Sequence, residues 1–296
     1  MFNFRIRVFH SVATSLSFSE TARELNITQP AVTNHIKELE SALGISLFYR
    51  GQNKISLTNS GKILLKYAKR TINDYKNLEY EIGIEKKAYV GRLKITVSTT
   101  VGQYILPPVL ARFNARFPDI KISLYNSNTT TLENDYISND ADLGIIGGSI
   151  GRKEFKHIPF MKDEIVAVAH SSQPISKKEQ ISINELIEIP LVLRETGSGT
   201  LDIITKELRK QDIKTKDLNI KMYLGNTESI KSFLANANCL GFVSIYSISK
   251  EISRGEYQIV DIQDLNITRT FNFIYPQGYQ NKLRDMFIDF CISDMR

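Results

Sequence analysis

The chain has 296 residues, of which 42% are hydrophobic and 24% charged, and carries a net charge of +6 at pH 7. This length suggests two or three units of ordinary domain size, and the composition excludes a disordered or fibrous protein. The longest apolar run, residues 165–169, falls far short of the roughly 18 residues a membrane-spanning helix needs. Charge is unevenly spread: residues 1–90 hold 13 Lys or Arg against 8 Asp or Glu, which leaves only +1 for the remainder. A basic segment on a near-neutral body suggests a polyanionic partner such as nucleic acid.

The opening stretch, "MFNFRIRVFHSVATS", places arginines where a signal peptide would need its apolar core, so a cytoplasmic protein is expected. Ser17 and Glu20 have capping-box spacing and predict a helix from Phe18, with Ala22 and Leu25 facing inward. Asn26 and Ile27 form a break. Thr28 then caps a second helix, with Pro30 in its first turn, where a missing N–H costs little. Val32, Ile36, Leu39 and Leu43 recur at steps of four, three and four and form a core-facing stripe, and Gly44 ends the helix. Pro30, Thr33, Asn34, Lys37 and Ser41 fall opposite that stripe, with Gln29 at its edge.

Two short helices joined by a tight turn, the second presenting Gln, Thr, Asn and Lys, match the helix-turn-helix way of entering a major groove. Gln and Asn can bind adenine bidentately, Thr can touch a thymine methyl, and Lys can reach guanine or phosphate. The alternative is a helical hairpin whose polar face meets only water, but solvated faces usually favour Glu and Lys over Thr and Asn. "LFYRGQNKISLTNSG", residues 47–61, alternates about a Gly-Gln-Asn turn and reads as a two-stranded wing, with Arg50 and Lys54 near its tip. Leu64, Ala68, Thr71, Tyr75, Leu78 and Ile82 then recur with a period near 3.5, which predicts a long helix over residues 59–88 carrying a dimerisation seam.

Residues 17–68 resemble the DNA-binding end of the LysR-type transcriptional regulators. The likeness is carried by the Q-P-A-V-T run from Gln29, by L-E-x-x-L-G, L-F-x-R and L-T-x-x-G. Thr33 and Asn34 stand where members of that family usually carry Ser and Arg, and Thr21 where they often carry Ala. The first two departures bear on base preference. The resemblance implies DNA binding, with Thr28, Gln29, Pro30, Thr33, Asn34 and Lys37 at the groove and Arg50, Lys54 and Thr58 at the DNA backbone. It also implies a homodimer or homotetramer, RNA polymerase as a partner, and a small-molecule effector in place of a cofactor.

From residue 91 the chain alternates β-branched strands with helical segments, including "RLKITVSTT", "DIKISLYNS", "ADLGIIGG", "DEIVAVAH", "IPLVLRE", "LNIKMYL" and "CLGFVSI". That order argues for α/β folding on largely parallel sheets. The family resemblance implies two α/β lobes joined by crossing strands, similar to periplasmic solute-binding proteins. The expected organisation is a winged helix-turn-helix over 1–58, a linker helix over 59–90 and an effector domain over 91–296. Within the last, lobe one takes 91–161 and 268–296 and lobe two takes 162–267.

In open α/β sheets ligands sit at the carboxyl ends of strands, near helix N-termini. Three such loops, "VSTTVG", "RETGSGT" and "GNTES", offer the hydroxyls of Ser98, Thr99, Thr100, Thr196, Ser198, Thr200 and Thr227. Each loop alone is ordinary helix capping, but three in a two-lobed fold predict a pocket for a small anionic metabolite. "GSGT" lacks the Lys-Ser or Lys-Thr pair of a phosphate loop. The RETGSGT and GNTES segments look most like regulators of sulfur assimilation or carbon fixation.

An enzyme and a stand-alone solute-binding or interaction protein are the competing classes. His10, His35, His157 and His170 form no HExxH, and neither a G-x-S-x-G elbow nor dinucleotide spacing is present. A stand-alone carrier would need neither wing nor seam. Cys239 and Cys291 lie far apart without metal-site spacing and are expected to be inert core residues.

Overall fold

A computed structural model of the chain describes residues 4–50, 55–85, 89–138, 140–147, 155–278 and 280–295. Three helices open it: α1 (Phe4–Ser15), α2 (Phe18–Glu24) and α3 (Gln29–Leu43). Ser17 Oγ accepts the Glu20 amide and Thr28 Oγ1 the Ala31 amide, so two otherwise unpaired helix-end N–H groups are satisfied. Asn26 and Gly44 take left-handed conformations, the first turning the chain between helices and the second closing α3. Val32, Ile36 and Leu39 bury against Val8, Phe9, Val12 and Ala22. The predicted fourth member of that stripe, Leu43, is 47% exposed, because α3 runs past the end of this small core.

Strands β1 (Phe48–Arg50) and β2 (Ile55–Leu57) pair antiparallel, Phe48 opposite Leu57, to form the wing. Lys54 and the side chain of Arg50 lie outside the described residues. The helix that follows, α4 (Asn59–Glu85), spans about 40 Å at 1.5 Å per residue. Two residues of its expected seam turn to the chain's own core, while Tyr75, Leu78 and Ile82 stay exposed. Leu64 packs against the core of the three opening helices and Ala68 is buried within it. The apolar side chains that α4 leaves in solvent are Ile63, Tyr67, Tyr75, Leu78, Ile82 and Ile84.

The remaining chain winds β3 (Gly91–Ser98), a wide turn over Val101–Ile105 leading into α5 (Leu106–Arg116), β4 (Ile120–Ser127), α6 (Leu132–Ser138) and β5 (Leu143–Gly147). A long strand, β6 (Phe155–His170), is followed by β7 (Gln180–Ile181), α7 (Ile183–Glu188), β8 (Leu191–Arg194), α8 (Gly199–Arg209), β9 (Ile220–Leu224) and α9 (Thr227–Leu234). Then come β10 (Leu240–Ser244), α10 (Ile245–Ser253), β11 (Tyr257–Ile259), β12 (Asp261–Ile262), β13 (Ile267–Pro276) and α11 (Lys282–Asp294).

The main ladder runs β4-β3-β5-β13-β6-β10-β8-β9, with β11 also on β6. At one end β3 is parallel to β4 and β5, and at the other β8 is parallel to β9 and β10. Antiparallel β6 and β13 cross between the two halves. Each half has its own apolar core: one gathers Leu93, Ile95, Phe113, Phe273 and Phe287, the other Leu191, Leu193, Ile204, Phe242 and Ile267. The segment "DEIVAVAH" is only the second part of β6, whose first part carries the irregular "FKHIPFMK". That part has no clean alternation because half-buried side chains fall in adjacent pairs between single exposed ones as the strand passes from one half to the other. Cys239 and Cys291 are buried and free.

Helix α4 is tied to the first half. Lys76 Nζ lies 2.8 Å from Asp142 Oδ1, Tyr80 is buried in that half's core, and Asn77 both donates to the Gln280 carbonyl and accepts the Lys282 amide. Among the described residues no helix is long and apolar enough to cross a membrane.

Candidate functional site

On the outer side of α3, Gln29, Pro30, Asn34 and Lys37 are exposed and Thr33 is half-buried, with the capping Thr28 exposed just before them. Their polar atoms are lightly tethered. Gln29 Oε1 accepts from Ser19 Oγ at 3.2 Å, Thr33 Oγ1 donates to the Gln29 carbonyl at 3.1 Å, and Asn34 Nδ2 donates to Glu38 Oε1 at 2.9 Å. Glu38 is in turn paired with Arg5 of α1 at 2.8 Å. Such a face can offer both donors and acceptors to base edges once those local bonds are exchanged. Thr58, expected at the DNA backbone, is instead structural: it is buried, donating to the Ser46 carbonyl at 2.8 Å and accepting the Gly61 amide at 3.0 Å at the start of α4. With its hydroxyl used in both directions, little is left for a phosphate.

A second site lies where the two halves of the main sheet meet. The ends of β3, β4, β5 and β8, the N-terminus of α8 and Arg269 of β13 converge there. Of the hydroxyls expected at a pocket, the structure brings together Ser98, Thr99, Thr100, Ser198 and Thr200 and separates two others. Thr196 is exposed and lines an outer groove beside Lys206 and Arg209 of α8 and the capping Lys210, because Gly197 at φ 87° turns the loop over between it and Ser198. Thr227 is buried at the first turn of α9, where its hydroxyl meets the phenol of Tyr104.

Two guanidinium groups dominate the pocket's electrostatics. Arg269 is buried, with Nε 2.7 Å from Asp163 Oδ2, Nη1 3.0 Å from Thr200 Oγ1 and Nη2 3.4 Å from Thr100 Oγ1, and it lies over the Phe271 ring. Burial pushes its pKa down, and the charge of Asp163 opposes that shift. Arg194 is equally buried and makes a two-point contact with Glu195, Nε to Oε2 at 2.8 Å and Nη2 to Oε1 at 3.0 Å. Ser98 Oγ is buried without a hydrogen-bond partner among the described residues. A buried hydroxyl in that state is costly unless something else satisfies it. The open space within the pocket, about 10 Å³, is that of one water molecule, too little for a metabolite-sized anion.

Sequence reasoning did not single out Arg269, Ser127, Asn128 or Thr129, all of which line the pocket. Two signals were available. Arg269 occupies the inward register of β13 between Ile267 and Phe271, a charge on the apolar face of an alternating strand. "NSNTTT", from Asn126, is a polar run that closes a strand and continues past it, of the kind that supplied the other loops.

Residues 4–62 match the family model for the bacterial regulatory helix-turn-helix protein, lysR family, and residues 86–296 that for the LysR substrate binding domain. The chain belongs to the LysR family. As a LysR-type regulator it binds DNA and controls transcription, with an effector-binding domain attached, and it is not an enzyme. It is 32% identical over 289 residues to a probable RuBisCO transcriptional regulator of Trieres chinensis, covering 96% of this chain and 94% of that one. It is 29% identical to the HTH-type transcriptional regulator CysL of Bacillus subtilis, over 98% of this chain and 96% of that one. The regulatory domain of CcmR from Synechocystis, solved in complex with 2-PG, superposes with a TM-score of 0.63 at 25% identity, covering 69% of this chain and 97% of that one.

Proposed function

We propose that this LysR-type regulator responds to a small anion held between its two lobes by Arg194 and Arg269, with hydroxyls from Ser98, Thr99, Thr100, Ser198 and Thr200 completing the site. The observation that carries the reading is a pair of buried guanidiniums lining one pocket together with the unpartnered buried hydroxyl of Ser98, at the end of β3, and the N-terminus of α8. Guanidinium forks and helix N-termini both favour carboxylate, phosphate or sulfate over neutral ligands. The 2-PG complex of CcmR supports the same class. Because the pocket holds only one water's volume, the effector enters by separating the lobes or moving side chains. Calorimetry on the full chain with sulfate, thiosulfate, acetylserine, phosphoglycerate, nicotinamide dinucleotide phosphates and 2-PG tests this. Saturable binding of one anion is expected, weakened about tenfold or more in Thr100→Val, which keeps the shape and removes a hydrogen bond to charge. Equal affinity for a neutral compound, or an unchanged Thr100→Val, would sink the anion reading.

The division that accompanies this function is DNA binding over 1–58, the linker helix over 59–90, and lobes over 91–161 with 268–296 and over 162–267. The groove contacts are Thr28, Gln29, Pro30, Thr33, Asn34 and Lys37, with Arg50 and Lys54 at the phosphates. Transcriptional control makes RNA polymerase the downstream partner and the cytoplasm the place of action. Dimerisation runs along the exposed side of α4 through Ile63, Tyr67, Tyr75, Leu78 and Ile82, and two such dimers make the tetramer. Tyr67 and Leu78 are 62% and 51% exposed, so Asp at both positions is expected to leave the protomer folded. A carboxylate buried in a paired seam is strongly disfavoured, so sedimentation should show smaller species and operator affinity should fall. An unchanged oligomer would move the interface to the lobes.

A further inference from the structure

Arg194 and Arg269 share one pocket but are neutralised in different ways. Asp163 sits directly opposite Arg269 on the crossing strands; its side chain is 0% exposed and accepts a further bond from Ser244 Oγ at 2.7 Å. Expelling it would leave a buried carboxylate alone. Glu195 follows Arg194 at the end of β8, has a side chain 28% exposed, and can turn into water. Its Oε1 also accepts from Asn128 Nδ2 at 2.9 Å, a residue of the opposite lobe. Beside that bridge, Thr130 Oγ1 donates to the Gly197 carbonyl at 2.8 Å and the Gly199 amide donates to Thr129 Oγ1 at 3.2 Å.

We propose that Glu195 is a built-in competing anion: it occupies the Arg194 fork and ties the lobes through Asn128 until an effector carboxylate or phosphate displaces it. The inference rests on the anion-pocket reading and adds how the ligand is sensed. The Nε and Nη2 edge that Glu195 holds is the edge a planar oxyanion would take, and two carboxylates cannot share it in a buried site without strong repulsion. Displacement breaks the Asn128 bridge, so the anion favours a lobe arrangement different from the ligand-free one. That differential interaction is what any ligand-driven change requires. A neutral ligand would leave Glu195 in place and send no signal.

The test uses the full chain, with inorganic phosphate and phosphoglycerate as probes in calorimetry and hydrogen exchange at the Gly199 and Thr130 amides. Glu195→Gln keeps the size and an acceptor for Asn128 but removes the charge, and is expected to bind phosphoglycerate about tenfold tighter, within the range of coupled sites. Asp202→Asn removes a carboxylate of α8 that makes no contact with Arg194 and serves as the control for general field effects, with a change of no more than about twofold expected. In the wild type, saturating anion should speed exchange at Gly199 and Thr130. If the wild type binds a probe and Glu195→Gln binds it no tighter, or no tighter than Asp202→Asn does, the competing-anion proposal is overturned while the anion pocket stands. If neither wild type nor Glu195→Gln binds these probes or any other anion of the calorimetry panel while operator binding is intact, both fail.

Discussion

Arg269→Met is expected to destabilise the effector domain by about 3 to 5 kcal/mol, the usual cost of breaking a buried ion pair from one side. The pair is about as dry as a side-chain pair can be, with Arg269 and Asp163 4% and 0% exposed. It is held in register between β6 and β13, the strands that join the lobes. Removing the cation leaves Asp163 with Ser244 as its remaining donor among the described residues, and the carboxylate must either protonate or draw in water. Adding Asp163→Leu to Arg269→Met should recover most of that stability, because a buried ion pair replaced by apolar groups of similar volume is often neutral. Anion affinity should not return with it, since the guanidinium that holds Thr100 and Thr200 is gone. Urea unfolding monitored by tyrosine fluorescence would measure the stability change. A single variant within about 1 kcal/mol of wild type would show that Asp163 is not isolated in the way the geometry indicates.

The helix-turn-helix was legible because its determinants are local. Caps at Ser17 and Thr28, a stop at Gly44 and a stripe of apolar residues all lie within one turn or two of what they control. The pocket depends on residues far apart in sequence. Arg269 meets Asp163 across 106 positions and Thr200 across 69, pairings that only the crossing of β6 and β13 creates. Loop geometry hid more. Thr196 and Ser198 differ by two positions in one loop, yet a single left-handed glycine sends them to different surfaces. That glycine is also where the lobes touch, since a Cβ at Gly197 would run into Thr130 Oγ1. Thr227 looked equivalent to the other hydroxyls, but Asn226 is the cap of α9, and Thr227 turns inward. The expected seam on α4 lost two members, Leu64 and Ala68, for a related reason, while Tyr75, Leu78 and Ile82 stay exposed: periodicity marks an apolar stripe without saying which part of it the chain's own core uses. Leu64 and Ala68 go to that core, and their neighbours Ile63 and Tyr67 remain in solvent.

Replacing Thr33 and Asn34 together with Ala is expected to remove about 1 to 3 kcal/mol of discrimination for each base that is no longer read. The helix should survive, because both positions lie on the outer side of α3 and Ala is the best helix former. Asn34 is the more informative of the two. Bidentate contact with adenine needs both its amide N–H and its carbonyl, but Nδ2 now bonds Glu38, which is held by Arg5. Approaching phosphates repel Glu38 and attract Arg5, so the DNA field itself favours opening that chain of contacts. The exchange replaces one hydrogen bond by two, and it is available only where the base presents the matching pattern. Glu38→Gln should therefore raise affinity for operator and random DNA alike while leaving their ratio nearly unchanged. Lys54→Ala, between β1 and β2, should weaken all sequences alike and reduce the slope of log affinity against log salt by about one. Competition binding at several salt concentrations separates these outcomes. If the Thr33 and Asn34 double variant kept its full preference for operator over random DNA, the polar side of α3 would not be reading bases, and specificity would have to come from the wing or from DNA shape.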